Sequence, residues 1–214
     1  MTGRKGCMKI SIAAVVVWTA TAGVVHAQSP SAGYVEGVAQ SAFGNVTSQA
    51  YGAEVGVSLG AVVQVFGEVS YVKDTAPSSL VANAQAIANS AGLASHATQP
   101  TTIGVAGIRF PFPASSKAEP YVLVGGGVAQ VKKDVTFSSN GTDVTGSLSQ
   151  PPYYIVLGSD LSGSETKAML SLGAGVVWIV WQKLIVDFQY RYGRVFTDEG
   201  LNINRAGVGI GVRF

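Results

Sequence analysis

Apolar and polar residues alternate with a period of two along most of this chain, and that period constrains the fold more than any other feature. In Leu184–Tyr192, Leu184, Val186, Phe188, Tyr190 and Tyr192 share one face, and Ile185, Asp187, Gln189 and Arg191 share the other. Successive side chains of a strand point to opposite sides, so this pattern predicts a strand with one apolar and one wetter face. The last stretch repeats it. Ala206, Val208, Ile210, Val212 and Phe214 oppose Arg205, Gly207, Gly209, Gly211 and Arg213. Eight segments read this way, at 33–43, 50–59, 62–73, 101–110, 120–132, 168–178, 184–195 and 204–214. Each is close to the roughly 9–11 residues with which a strand crosses a bilayer.

Composition supports a membrane setting without helices. Charged residues make up 12% of the chain, against about 25% in a typical soluble domain. Beyond the N-terminus there is no run of 18 apolar residues, so helical spans are not expected. The connections alternate: 60–61, 111–119 and 179–183 are short, whereas 74–100 and 133–167 are long. In hydrocarbon, backbone N–H and C=O groups find no water, so a sheet must close on itself. The sequence therefore predicts an all-β fold, an eight-stranded antiparallel transmembrane barrel, with the long connections all on one side. A soluble secreted barrel of lipocalin type is the alternative.

The two faces divide accordingly. Val35, Val55, Val57, Val63, Val65, Val69, Leu123, Leu170, Leu172, Val176, Val186, Val208 and Ile210 are assigned outward. Glu36, Gln40, Glu54, Gln64, Glu68, Gln130, Lys132, Asp187, Gln189, Arg191 and Arg205 are assigned inward. In 101–110, Ile103 and Val105 compete with Ala106 and Ile108 for the outer face. Aromatic girdles are expected at both interfaces: Tyr34, Tyr121, Trp178, Trp181 and Phe214 at the turn end, and Phe43, Tyr51, Tyr71, Tyr192 and Phe196 at the loop end.

The N-terminus predicts export. Arg4, Lys5 and Lys9 precede an apolar stretch from Ile10 to Val25, and Val25-His26-Ala27 places small residues around a cleavage point before Gln28. Residues 1–27 read as a signal peptide and 28–214 as the barrel domain. Cleavage leaves 14 − 3 = 11 basic and 12 acidic residues, a charge of −1. Nucleic-acid binding, which needs a basic footprint, is not expected. Cys7 leaves with the leader, so the exported chain has no disulfide.

The closing stretch AGVGIGVRF resembles the C-terminal signal, ending here in Phe214, by which bacterial outer-membrane proteins engage the barrel assembly machinery. The segment Gly173–Val195, with Tyr190-Arg191-Tyr192, is similar to the penultimate hairpin of eight-stranded barrels of the opacity-antigen, OmpX and OmpA transmembrane-domain group. The resemblance implies a bacterial outer-membrane location and lipid and assembly-machinery partners. A departure from the two-domain OmpA pattern is expected, with no peptidoglycan-binding domain after Phe214.

Candidate chemistry is confined to the lumen and the loops. Glu36, Glu54, Glu68, Lys132, Asp187, Arg191 and Arg205 are expected to form a charge network filling the interior, since small barrels are just wide enough for their own side chains. A small pore for ions or solutes is the alternative. A lipid-modifying enzyme is a more distant one, because acyl transfer on such barrels needs a His beside a Ser. The exported chain has only His96, in the loop sequence GLASHATQP. No enzyme activity and no cofactor or metal are expected. In 74–100, Ser78-Ser79 can cap a helix with Leu80, Ala84, Ile87 and Ala91 on one side. In 133–167, Asn140-Gly141 signals a hairpin above the membrane, and Pro151–Leu157 is apolar enough to fold back over the mouth. These two loops are where an extracellular ligand would bind.

Overall fold

The computed structural model describes residues 32–60, 62–112, 117–158, 161–198 and 200–214. The leader and the cleavage point after Ala27 lie outside these residues. In chain order the elements are β1 (Gly33–Phe43), β2 (Ser48–Ser58), β3 (Gln64–Val72), α1 (Ser78–Ala91), β4 (Ala94–Thr98), β5 (Thr101–Pro111), β6 (Ala118–Ser139), β7 (Thr142–Asp143), β8 (Gly163–Ile179), β9 (Leu184–Val195) and β10 (Leu201–Arg213). Eight strands form the wall, in the antiparallel order β6-β5-β3-β2-β1-β10-β9-β8, and β6 pairs with β8 to close it. β4 and β7 stand outside the wall, paired to the tip of β6.

Closure runs to the last residue. β1 and β10 pair from Tyr34↔Arg213 to Phe43↔Asn204. The Phe214 N–H donates to the Gly33 carbonyl at 2.9 Å, and the Phe214 carbonyl accepts from Ala32 and Gly33. No edge is left to satisfy at this seam, which is what hydrocarbon demands. The alternating segment 204–214 is therefore barrel wall.

The polarity of the wall is the reverse of a soluble barrel. Val35, Val55, Val57, Val69, Leu172 and Ile210 are exposed, whereas Glu36, Glu54, Glu68, Asp187, Arg191 and Arg205 are buried. Apolar residues outside and charges inside suit lipid and exclude the lipocalin-type arrangement.

The structure decides one phase that the sequence leaves open and reverses another. On β5, Ile103, Val105 and Arg109 point inward and Ala106 and Ile108 outward, which settles the competition there. On β6, Tyr121, Leu123 and Val131 point inward, while Gln130 and Lys132 lie on the outer face. Leu123 is thus interior, and Gln130 and Lys132 are not. The reason is height. Both faces of Tyr121–Val128 are apolar or glycine, so only Gln130 and Lys132 marked a polar side. These two sit at the loop end, where polarity reflects water outside the bilayer and not the lumen.

The wall is uneven in height. β6 has 22 residues and β8 has 17, and their pairing continues to Lys133↔Gly163. The tip of β6 turns at Asn140 (φ 49°) and Gly141 (φ 82°), both left-handed, as a two-residue hairpin requires. α1 buries Leu80, Ala84 and Ala88, spaced four apart, and leaves Ile87 and Ala91 half-buried. It starts at Ser78 behind an extended Pro77, so the cap position is Pro77 and not the serine pair. It ends at left-handed Gly92. α1 and Leu93 pack on Val135, Phe137, Leu148 and Leu161 to form a second apolar core above the barrel. The two long connections thus cooperate in one lid.

Candidate functional site

The interior is organised in three levels. At the loop side, Val72, Ile103, Ala129, Val131, Met169, Val195, Leu201 and Ile203 form a buried apolar layer. At the turn side Tyr34, Tyr121, Val177 and Ile185 belong to the same cluster, which also includes Phe66, Val105 and Leu123 at the height of the charges. Between them lie the charges.

Each main contact in the charged level crosses the lumen. Arg191 Nη2 of β9 meets Glu54 Oε2 of β2 at 2.5 Å, and Arg205 Nη1 of β10 meets Glu68 Oε1 of β3 at 2.5 Å. Arg109 of β5 bridges Glu54 at 3.5 Å and Asp187 of β9 at 3.7 Å. Charge-assisted pairs of this kind are among the strong hydrogen bonds, and in a dry interior pairing is what makes buried charge tolerable.

Neutral groups complete the lattice. The Tyr34 hydroxyl donates to Glu54 at 2.5 Å and the Tyr121 hydroxyl to Asp187 at 2.6 Å. The Arg109 guanidinium lies 3.5 Å from the Tyr121 ring centroid and 4.8 Å from that of Tyr34. Arg191 Nε donates to Gln189, which is linked to Gln40 and Glu36. Arg205 also reaches Ser70 at 2.7 Å and Gln40 at 3.3 Å.

The structure brings together six of the seven residues expected in the lumen: Glu36, Glu54, Glu68, Asp187, Arg191 and Arg205. Lys132 is a correction. Its ammonium pairs with Asp134 at 3.0 Å on the outer surface, with 61% of the side chain exposed. Arg109 takes the third basic place, and the ambiguous phase of 101–110 hid it. Tyr34 and Tyr121, expected in the turn-end girdle, point inward instead, drawn by carboxylates that need donors. Val35 and Val122, exposed on the other face of the same strands, were the signal that both tyrosines face in. Trp178, Trp181 and Phe214 at the turn end, and Phe43, Tyr51, Tyr71 and Phe196 at the loop end, are exposed on the outside.

At the turn end a cavity of about 20 Å³ lies among Tyr34, Arg109, Val177, Ile185 and Arg213. That is space for about one water. Arg213 closes its rim against Glu119 at 3.4 Å. His96 lies on β4, paired in register with Thr136 and exposed on the cap, so it is a strand residue and not in an irregular loop.

The fold and the charged interior define a small outer-membrane β-barrel. Residues 11–214 match the family model for the outer membrane protein beta-barrel domain, and the chain belongs to that family. No curated protein matches it in sequence. In structure it is similar to Neisserial surface protein A (14% identity, 86% of this chain and 96% of that one, TM-score 0.51). It is also similar to Ail, the attachment invasion locus protein of Yersinia pestis (16% identity, 86% and 97%, TM-score 0.48). A third is a major outer membrane protein from Thermus thermophilus (10% identity, 85% and 99%, TM-score 0.49). At these identities the likeness is one of fold.

Proposed function

We propose that this protein is a non-conducting, non-enzymatic element of the bacterial outer membrane whose cap, turned outward, presents a contact surface. The observation that carries this reading is the lattice of buried charges that pair across the lumen among apolar side chains. A small barrel whose lumen is occupied by its own side chains is expected to carry neither an ion path nor a substrate pocket of the usual few hundred Å³. Export through residues 1–27 and delivery through the strand ending in Phe214 belong to the same reading.

The cap supports a contact role. Neither Thr75–Ser95 nor Val144–Leu157 contains a charged residue. In the second segment Tyr153, Ile155 and Leu157 turn toward the cap core, whereas Tyr154 and Val156 are 71% and 85% exposed. Exposed apolar groups on a polar rim mark contact sites. Against a lipid-modifying enzyme stands His96, exposed on the cap with no side-chain hydrogen bond to a serine among the described residues.

A small pore is the second reading. It is favoured by Arg205 Nε and Nη2, Arg191 Nη1 and Asp187 Oδ1, which have no hydrogen-bond partner among the described residues. Single-channel recording of the refolded protein separates the two, with a heat-dependent gel shift confirming closure. Silence is expected. Stable current steps that vanish on neutralising Glu68 or Arg191 would establish the pore instead.

A further inference from the structure

Among the described residues, outward positions of the wall strands carry charge only at Lys132, Asp134 and Arg194, all at the loop end. Lys73, exposed one residue beyond β3, joins them. The register sets two of these cations level. Val72 pairs with Thr101, and Thr101 with Val131. One residue nearer the loops, Lys73 and Lys132 flank Pro100, whose carbonyl accepts the Lys132 N–H at 3.0 Å. Two strand spacings, about 10 Å, separate their backbones. Lys73 rests turned toward Gln49 of β2, on the far side of β3, and its long flexible stem must swing back across β3 for both ammonium groups to meet one ligand.

Below them the wall changes character. Tyr51 and Tyr71 are paired in register and half exposed on the outer face. Thr102 pairs with Tyr71 on one side and Gln130 on the other. This row lies two residues, about 7 Å, beneath the lysines. Lys73 Nζ is held by Gln49 at 2.8 Å and stands 5.7 Å from the Tyr51 ring centroid. Aromatic rings at the interface with ammonium groups one step above reproduce the order of acyl boundary and headgroup in a lipid leaflet.

We propose that this face binds a phosphorylated lipid headgroup, with Lys73 and Lys132 on the phosphate and Tyr51, Tyr71 and Thr102 against the start of the acyl chains. Asp134, which pairs with Lys132, and Gln49, which accepts from Lys73, are the competitors. Both side chains of the pair with Asp134 are well exposed, at 61% and 46%. Such pairs are weak, so a phosphate carrying more charge displaces the carboxylate.

The test is native mass spectrometry of the full chain refolded in zwitterionic detergent, titrated with short-chain phosphatidate or with diacylglycerol. Phosphatidate is expected to stay bound and diacylglycerol to leave. A juxtamembrane lysine contributes about fivefold in affinity, so Lys73→Gln with Lys132→Gln should weaken retention about 25-fold. Asp134→Asn should strengthen it, and arginine at both positions should restore it. All the substituted side chains are on the surface, and a retained heat-dependent gel shift verifies folding. Equal retention by wild type and the double glutamine variant would overturn the proposal. So would displacement by millimolar inorganic phosphate, which would mark a site for free phosphate and not for lipid.

Discussion

At the scale of single residues, the lumen separates its four carboxylates into unequal roles. Glu54 is held by Arg191, Arg109 and Tyr34. Removing its charge leaves two buried guanidiniums underpaired, and breaking such a pair costs about 3–5 kcal/mol. Glu36 has only the Gln189 amide at 3.4 Å, and among the described residues no arginine lies within ion-pair distance of it. Glu54→Gln should therefore lower the urea midpoint of vesicle-embedded protein sharply. Glu36→Gln should leave it within about 1 kcal/mol of wild type or raise it, since a neutral group loses no desolvation energy. Equal losses would mean that the charges act as one undivided field. A second residue effect is steric. Gly107 and Gly125 face each other across β5 and β6; a Cβ at Gly107 would clash with the Val124 carbonyl and the Gly125 backbone as well as with Phe66, and one at Gly125 would press on Val105 at 2.8 Å and the Ala106 carbonyl at 2.9 Å. Gly107→Val should slow refolding, read as a delayed gel shift, whereas Gly67, with open space around its Cβ position, should accept Ala with little change.

At the scale of elements, legibility in the sequence followed the contrast between faces. β9 alternates apolar residues with Asp187, Gln189 and Arg191, and its bounds were read as the structure has them, at 184–195. β6 offers no such contrast below Gln130, so its phase was inverted and Lys132 was misplaced. β4 was missed because ASHAT has no apolar face and is a strand only by pairing with the tip of β6. The Asn140-Gly141 turn was legible because left-handed backbone has a narrow residue signature. That turn also carries a prediction. Gly141→Val forces a β-branched residue into φ 82° and should loosen the hairpin, at a cost of about 1–2 kcal/mol. Proteolysis within 133–158 should rise while the barrel's gel shift is unchanged. Beside it, Asp143 sits below the ordinary carboxylate value because its charged form is hydrogen-bonded by Thr145. A depressed folded pKa adds stability at pH above the unfolded value of about 3.9 and loses it as pH falls through the folded one. Protection of the Thr145 amide from hydrogen exchange should therefore fall on acidification, and Asp143→Asn should flatten that dependence.

At the scale of the whole molecule, the barrel and its cap are two separate cores stacked end on end. The lower core contains the apolar layer of Val72, Ile103, Val131, Val195 and Ile203, and the upper one is built on α1, Val135, Phe137 and Leu148. If the lower core alone seals the lumen, the cap is dispensable for closure. The chain allows a clean test, because the ends of the α1–β4 segment already meet. The Thr75 N–H donates to the Gln99 carbonyl at 3.0 Å, and Asp74 Oδ1 accepts from the Gln99 N–H at 2.8 Å. Replacing 76–98 with Asn-Gly would turn β3 directly into β5 through a short loop. The shortened protein should keep its heat-dependent gel shift and stay electrically silent, because none of the residues of the sealing layer is removed. It should also become sensitive to protease near Phe137 and Leu148, whose packing against Leu80, Ala84 and Ala88 is gone. Current through the shortened barrel would show that the cap is the plug, and that the apolar layer beneath it gives way when uncovered.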